Sequence, residues 1–273
     1  MQKNYSVLMS VYFKEKPIFL KESIESILSQ TKLTNDFIIV CDGILTKELD
    51  LILNDFCEKY KFIKLIKLKQ NVGLGRALNE GLKYCKNDLV ARMDSDDIAF
   101  SKRCELQMEM FDKDENIKII GGDIIEIDPY TKKKKAYKKV PYSYEDILNY
   151  SKYRNPFNHM TVMFSKQAIL NVGGYKDMPL AEDYYLWVRL LKEGYKGLNI
   201  NTPLVYARTG EDMYYRRGGF SYAKKILHFR YTFFKMKYTN LAIFLLTTLP
   251  HMIVAIIPNK IRGYIYTKLL RER

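Results

Sequence analysis

The stretch Leu89-Val90-Ala91-Arg92-Met93-Asp94-Ser95-Asp96-Asp97 decides how the chain is read. Its first five residues form a strand-like run, and the run ends in an acidic tetrapeptide. In a doubly wound sheet, ligands bind outside the carboxyl ends of the strands. Carboxylates placed there can reach a common crevice. The alternation of Asp94 and Asp96 lets two carboxylates face one ion, and a divalent metal with oxygen ligands can be shared with phosphates. Taken alone, the tetrapeptide is equally a solvated acidic turn or a helix N-cap cluster. Its position directly after a strand favours the ligand-binding reading.

Outward from this stretch the pattern is regular. Towards the N-terminus, Ser6–Val11, Phe37–Cys41 and Phe62–Ile66 read as strands. The helices between them carry Leu20, Ile24, Ile27 and Leu28, with Pro17 in the first turn, and then Leu49, Leu53, Phe56 and Tyr60. A third helix is predicted from Gly73 to Tyr84. Strand–helix alternation of this kind predicts a parallel sheet with helices on both faces, an α/β fold. Asp42 follows the second strand as Asp94 follows the fourth. Towards the C-terminus a helix near Lys102–Phe111, strands at Ile117–Gly121 and Thr161–Phe164, and a helix from Tyr184 to Leu191 are expected. Lys132 to Lys135 read as a solvated hairpin tip.

The composition narrows the class. The chain has 273 residues, 47% of them apolar, enough for one large domain with an appendage. The formal net charge is +14, but twelve basic residues and one acidic residue lie in residues 216–273, so the body is nearly balanced. Cys41, Cys57, Cys85 and Cys104 are scattered without a C-x-x-C pair and read as reduced core thiols. The N-terminus enters a strand directly and shows no signal-peptide pattern, so secretion is not expected.

From Phe220 the chain changes in kind. Tyr222, Ile226, Phe229, Phe233 and Met236 line one side of a helix whose cations are Lys224, Lys225, Arg230, Lys235 and Lys237. Leu241–Ile257 holds no charge and is interrupted by Pro250 and His251. This suits a monotopic or re-entrant element at an anionic membrane surface more than a crossing. A helical pair packed on the body or on another subunit is the other reading, and an oligomer is compatible with it. Nucleic acid is not the expected partner, because phosphate contact needs no long apolar run.

An ordered set of motifs carries a resemblance. Ser10-Val11-Tyr12, Asp42, Asn71-Val72-Gly73-Leu74-Gly75-Arg76-Ala77-Leu78-Asn79-Glu80-Gly81 and Arg92-Met93-Asp94-Ser95-Asp96-Asp97 resemble the nucleotide-sugar half of a family 2 glycosyltransferase of GT-A fold. Asn155 to Phe164, Gly173-Gly174-Tyr175 and Ala181 to Trp187 resemble its acceptor half. The resemblance covers residues 4–210 and points to bacterial surface-polysaccharide enzymes. It implies a GT-A domain over residues 1–215, with a donor half to 97 and an acceptor half from 98, and a membrane-associating helical tail over 216–273.

The resemblance also implies roles. Ser10, Tyr12, Asp42, Arg76, Asp94 and Ser95 would bind a nucleotide-sugar donor, by default a UDP-sugar. Asp94 and Asp96 would hold Mn²⁺ or Mg²⁺, with Asp96 the direct ligand. Asp183 would be the general base of an inverting transfer, since one carboxylate suffices when the metal handles the leaving diphosphate; a plain N-cap is the alternative. His159, Glu182 and Trp187 are candidates for a saccharide or lipid-linked acceptor, His159 and Trp187 equally for structural roles. The Q-x-x-R-W motif of processive members is absent, which favours single addition. The expected location is the cytoplasmic face of the membrane. A sugar nucleotidyltransferase would want a glycine-rich basic loop where Ser10-Val11-Tyr12-Phe13 stands, and a non-catalytic membrane-binding module would account for the tail alone.

Overall fold

The computed structural model describes residues 4–210 and 218–257. The expected tail cations Arg216, Arg217, Lys260, Arg262, Lys268, Arg271 and Arg273 lie outside the described residues.

The first half runs β1 (Tyr5–Val11), α1 (Pro17–Leu28), β2 (Phe37–Cys41), α2 (Lys47–Lys59), β3 (Ile63–Lys67), α3 (Leu74–Leu82) and β4 (Leu89–Asp94). These four strands are parallel, in the order β3-β2-β1-β4. Their near-continuous apolar runs follow from burial on both faces. Val7, Met9 and Val11 point into a core closed by α1 and α2, while Leu8, Ile38 and Val40 face α3 on the other side. Gly81 allows that second contact: a Cβ there would lie 2.4 Å from Leu8 Cδ1 and 2.7 Å from Val40 Cγ2.

The second half contains β5 (Ile98–Ala99), α4 (Arg103–Lys113), β6 (Ile117–Ile127), β7 (Lys134–Lys138), α5 (Tyr144–Tyr150), a 3-10 turn at His159–Thr161, β8 (Met163–Ser165), α6 (Lys166–Asn171), α7 (Glu182–Lys192) and β9 (Lys196–Arg208). The sheet continues from β4 as β8-β6-β9-β5, with β7 on β6. β8 runs antiparallel to both β4 and β6, so the sheet changes from parallel to mixed beside the acidic tetrapeptide. The 13-residue β9 escapes prediction because its register with β6 breaks around Asp123 and Pro203. Proline lacks a ladder donor and is tolerated at such irregularities. The expected hairpin tip is real: Lys132 pairs with Glu22 at 2.6 Å, and Lys135 with Asp128 at 3.1 Å.

The tail forms α8 (Phe220–Lys235) and α9 (Leu241–Ile256), and here one expectation is corrected. The aromatic side of α8 faces the body rather than outward. Ile226, Phe229 and Phe233 pack with Met178, Tyr184 and Val188 of the α7 region. Arg230, read as a surface cation, is buried and donates to the Tyr153 carbonyl at 2.6 Å. The outward apolar surface is instead a stripe on α9: Leu241, Leu245, Leu249 and Ile253, with Leu246 beside it. Pro250 lies inside α9 without ending it. Among the described residues no helix is long and apolar enough to cross a membrane.

Replacing Gly81 with alanine sets overpacking of about 1–3 kcal/mol against a helix-propensity gain of up to ~1 kcal/mol. We expect a net loss of about 1–2 kcal/mol in urea denaturation; an unchanged midpoint would show that α3 shifts freely on the sheet.

Candidate active site

The site forms at the carboxyl ends of the parallel strands. Ser10 lies in register with Val40 and Asp94, so the ends of β1, β2 and β4 are adjacent. Tyr12 follows, exposed and edge-on to Phe13. Asp94, Asp96 and Asp97 each offer a carboxylate oxygen within 4.8 Å of the others. Burial, then the charges of Asp94 and Glu15, pushes Asp96 up to about 7. Asp97 is raised well above the carboxylate range by burial and by Asp96. Its Oδ1 accepts the Arg208 amide at 2.8 Å. Such repulsion among clustered acids is what a bound cation relieves, and the oxygen donor set suits Mg²⁺ or Mn²⁺.

Two buried arginines bracket the cluster. Arg208, at the end of β9, bonds the Asp96 carbonyl and Glu22 and lies over the Phe19 ring. Arg92 is 1% exposed and pairs with Asp94, while its Nε and Nη1 have no partner. Burial disfavours its charge, and the Asp94 carboxylate more than offsets that.

The same guanidinium reaches the second half of the site. Its field helps to hold His159 neutral, after burial, and works against the rise of Asp183. His159 Nε2 lies 2.8 Å from the Tyr175 hydroxyl. Burial raises the pKa of Tyr175, and the charges of Asp183, Asp94 and Glu182 add to that rise. Its backbone is clamped by Asn79 of α3, which accepts from Tyr175 N at 2.8 Å and donates to its carbonyl at 2.7 Å. Gly174, with φ 65°, leaves room for that amide.

Asp183 opens α7 but is no N-cap; that position is Ala181, with no side-chain cap. Its Oδ2 accepts from Asn155 Nδ2 at 2.6 Å, and burial raises its pKa. Glu182 instead accepts the Gly75 amide at 3.2 Å, tying α7 to the start of α3. Asp42 orders the adjoining loop, accepting from Val72 N at 2.7 Å, Gly73 N at 3.1 Å and Asn71 Nδ2 at 3.0 Å.

Several expected ligand contacts are already engaged. Ser95 is buried and donates to Glu15 at 2.5 Å. Arg76 is exposed and paired with Asp177. Trp187 is wholly buried among Phe157, His159, Phe164 and Tyr175, so it packs beneath the site and does not floor a sugar pocket. Glu15, Asn155, Tyr175 and Arg208 entered no role from the sequence. Each acts through a partner 16 or more residues away.

The family profile of glycosyl transferase family 2 matches residues 6–177. The chain belongs to glycosyl transferase family 2. It is 44% identical over 234 residues to an uncharacterized glycosyltransferase of Haemophilus influenzae, covering 86% of this chain and 85% of that one. It is 39% identical over 268 residues to the Escherichia coli UDP-Gal:alpha-D-GlcNAc-diphosphoundecaprenol beta-1,3-galactosyltransferase, covering 98% and 97%. The amylovoran biosynthesis glycosyltransferase AmsE of Erwinia amylovora is 33% identical, covering 97% and 98%.

Solved structures agree on the fold. The mannosyltransferase PcManGT of Pyrobaculum calidifontis, in complex with GDP-Man and Mn²⁺, superposes with TM-score 0.64 at 13% identity, covering 99% of this chain and 71% of that one. S. aureus TarS 1-349 in complex with UDP-GlcNAc gives 0.63 at 17% identity, covering 85% and 66%. The transferase thus has the expected GT-A architecture, with two C-terminal helices.

In the metal-free transferase, Asp96→Asn removes one like charge from the cluster. We expect the melting temperature to rise by roughly 2–4 °C per kcal/mol gained. A fall would show that the Asp96 carboxylate is held by favourable contacts.

Proposed function

We propose that the transferase moves a sugar from a nucleotide-diphosphate donor, a UDP-sugar, to a saccharide carried on a membrane diphospholipid, with inversion at the anomeric carbon. One observation carries this reading: the Asp94–Asp96–Asp97 cluster stands at the end of β4, and the segment that leads into the neighbouring β8 carries Asn155, which holds the Asp183 carboxylate. The Escherichia coli relative, whose name gives a UDP-galactose donor and a GlcNAc-diphosphoundecaprenol acceptor, supports the substrate classes. The amylovoran enzyme supports a place in surface-polysaccharide assembly.

In this mechanism Ser10, Tyr12 and the Asp42-ordered loop cradle the nucleotide. Asp94 and Asp96 hold a divalent cation, Mn²⁺ or Mg²⁺. When bound, that ion neutralises charge on the leaving diphosphate. The acceptor hydroxyl attacks the anomeric carbon from the side opposite the diphosphate. Its proton passes to Asp183 as the new C–O bond forms and the bond to the diphosphate breaks. Asn155 orients the Asp183 carboxylate through its 2.6 Å bond. The raised pKa of Asp183 brings the base nearer to working pH, which improves its match to the proton it takes. Arg92, whose Nε and Nη1 are buried without a hydrogen-bond partner, limits the repulsion between the carboxylates around it.

The tail supports a location against a membrane. Exposed leucines on α9 and the lysines of α8 suit an interfacial helix pair on an anionic surface, without crossing it.

Asp183→Asn should bind a UDP-sugar with Mn²⁺ as the wild type does in calorimetry. Its transfer to a diphospholipid-linked acceptor should fall by about 10³-fold, within the range for losing a general base. Retained turnover would remove Asp183 from that role. In the wild type the rate should rise with pH along a limb displaced above the usual carboxylate pKa of about 3.9, because only ionised Asp183 accepts the proton. A limb at or below that value would contradict the burial of the base. Chelation should abolish transfer, and added Mn²⁺ should restore it; full activity in excess chelator would exclude the metal.

A further inference from the structure

The corner between α8 and α9 forms a concavity of about 720 Å³. Lys152, Lys235 and Lys237 line it, together with the apolar side chains of Phe234, Leu241 and Ile243. No carboxylate lines it, and among the described residues none of the three lysines has an ion pair. Lys152 Nζ donates to the Asn149 side-chain oxygen at 3.3 Å. Lys237 stands at φ 58°, a left-handed position that ordinarily favours glycine, so a cation is kept there against backbone preference. Three positive charges around one hollow, without a carboxylate partner among the described residues, repel each other, and an anion removes that repulsion.

The walls narrow the choice of anion. Leu241 belongs both to the hollow and to the exposed α9 stripe that continues through Leu245, Leu249 and Ile253. Residues four apart share a helix face, so the stripe leads away from the hollow as one apolar track. A charged hollow opening onto an apolar track matches a molecule with an anionic head and hydrocarbon chains. The α8–α9 pair is fixed to the body while it presents this surface. Phe234 stacks on Phe244 at 5.4 Å, Tyr231 meets Phe244 edge-on, and the Tyr238 hydroxyl lies 2.5 Å from Ser151 Oγ.

We propose that this hollow is a binding site for the phosphate-bearing headgroup of an anionic bilayer phospholipid, whose chains lie along the α9 stripe. The assignment rests on the membrane-docking reading given above and makes it specific, replacing a diffuse basic face with one headgroup site. It also orients the enzyme. Lys152 stands three residues before Asn155, the partner of Asp183, so the segment that seats the base also borders the lipid site.

The test uses the full-length protein and sedimentation with vesicles of phosphatidylglycerol in phosphatidylcholine, or of phosphatidylcholine alone. Two double variants remove equal charge: Lys235→Gln with Lys237→Gln in the hollow, and Lys224→Gln with Lys225→Gln on α8 outside it. The wild type should bind the anionic vesicles and bind neutral ones at least tenfold more weakly. The hollow pair should lose about tenfold or more on anionic vesicles, and the control pair less than threefold, with transfer to a water-soluble acceptor unchanged in both. Equal losses in the two pairs overturn the site and leave only a diffuse basic face. Release of the wild type by inorganic phosphate at low ionic strength, where matched chloride does not release it, assigns the hollow to free anions and overturns the lipid assignment. Failure of the wild type to bind any vesicle overturns the docking reading beneath it.

Discussion

Three carboxylates within 4.8 Å of one another set the terms for the rest of the molecule. Such a cluster is costly in a folded protein unless cations or bound ligands balance it. Here the protein supplies part of that balance from two distant strands. Arg92 comes from β4 itself, and Arg208 from the far end of β9. Neither guanidinium is free to move: Arg92 is enclosed beside His159 and Tyr175, and Arg208 lies over Phe19 with Glu22 as its partner. The remaining imbalance is what the proposed cation would relieve.

The sheet changes direction beside β4. Parallel strands bring loop after loop to one edge, which gathers Ser10, Asp42 and Asp94. An antiparallel β8 next to β4 turns the chain so that the segment before it, residues 155–162, passes across the acidic edge. That segment carries Asn155 and His159. Helix α7 then delivers Asp183 to Asn155 while Glu182 fastens the helix to α3. The clamp of Asn79 on Tyr175 closes the ring. The first and second halves of the chain are therefore joined by direct hydrogen bonds.

Much of the first half was legible because its signals are local. β2 was expected at its observed bounds, and α1 with its Pro17 start. The elements that escaped are short or irregular. β9 was hidden by Pro203 and the polar run before it, and β5 has two residues. Helix α5 carried a readable sign: Ser143 Oγ accepts the Asp146 amide and donates to the Asp146 carboxylate, a cap visible as S-x-x-D. On α8 the apolar periodicity was read correctly, but its partner was not, because a hydrophobic face does not say whether protein or lipid covers it.

The sequence by itself determined the α/β class and the acidic end of β4, since strand burial, alternation and motif order are properties of neighbouring residues; Asp183 as a base was implied by the resemblance. Tertiary structure alone decided which of those groups meet. It assigned Ser95 to Glu15, Glu182 to the Gly75 amide and Trp187 to the interior, and it brought Arg208 to Asp97 across 111 residues. The reason is physical: a hydrogen bond or an ion pair depends on distance in space, and separation along the chain does not encode it until the sheet has set the register.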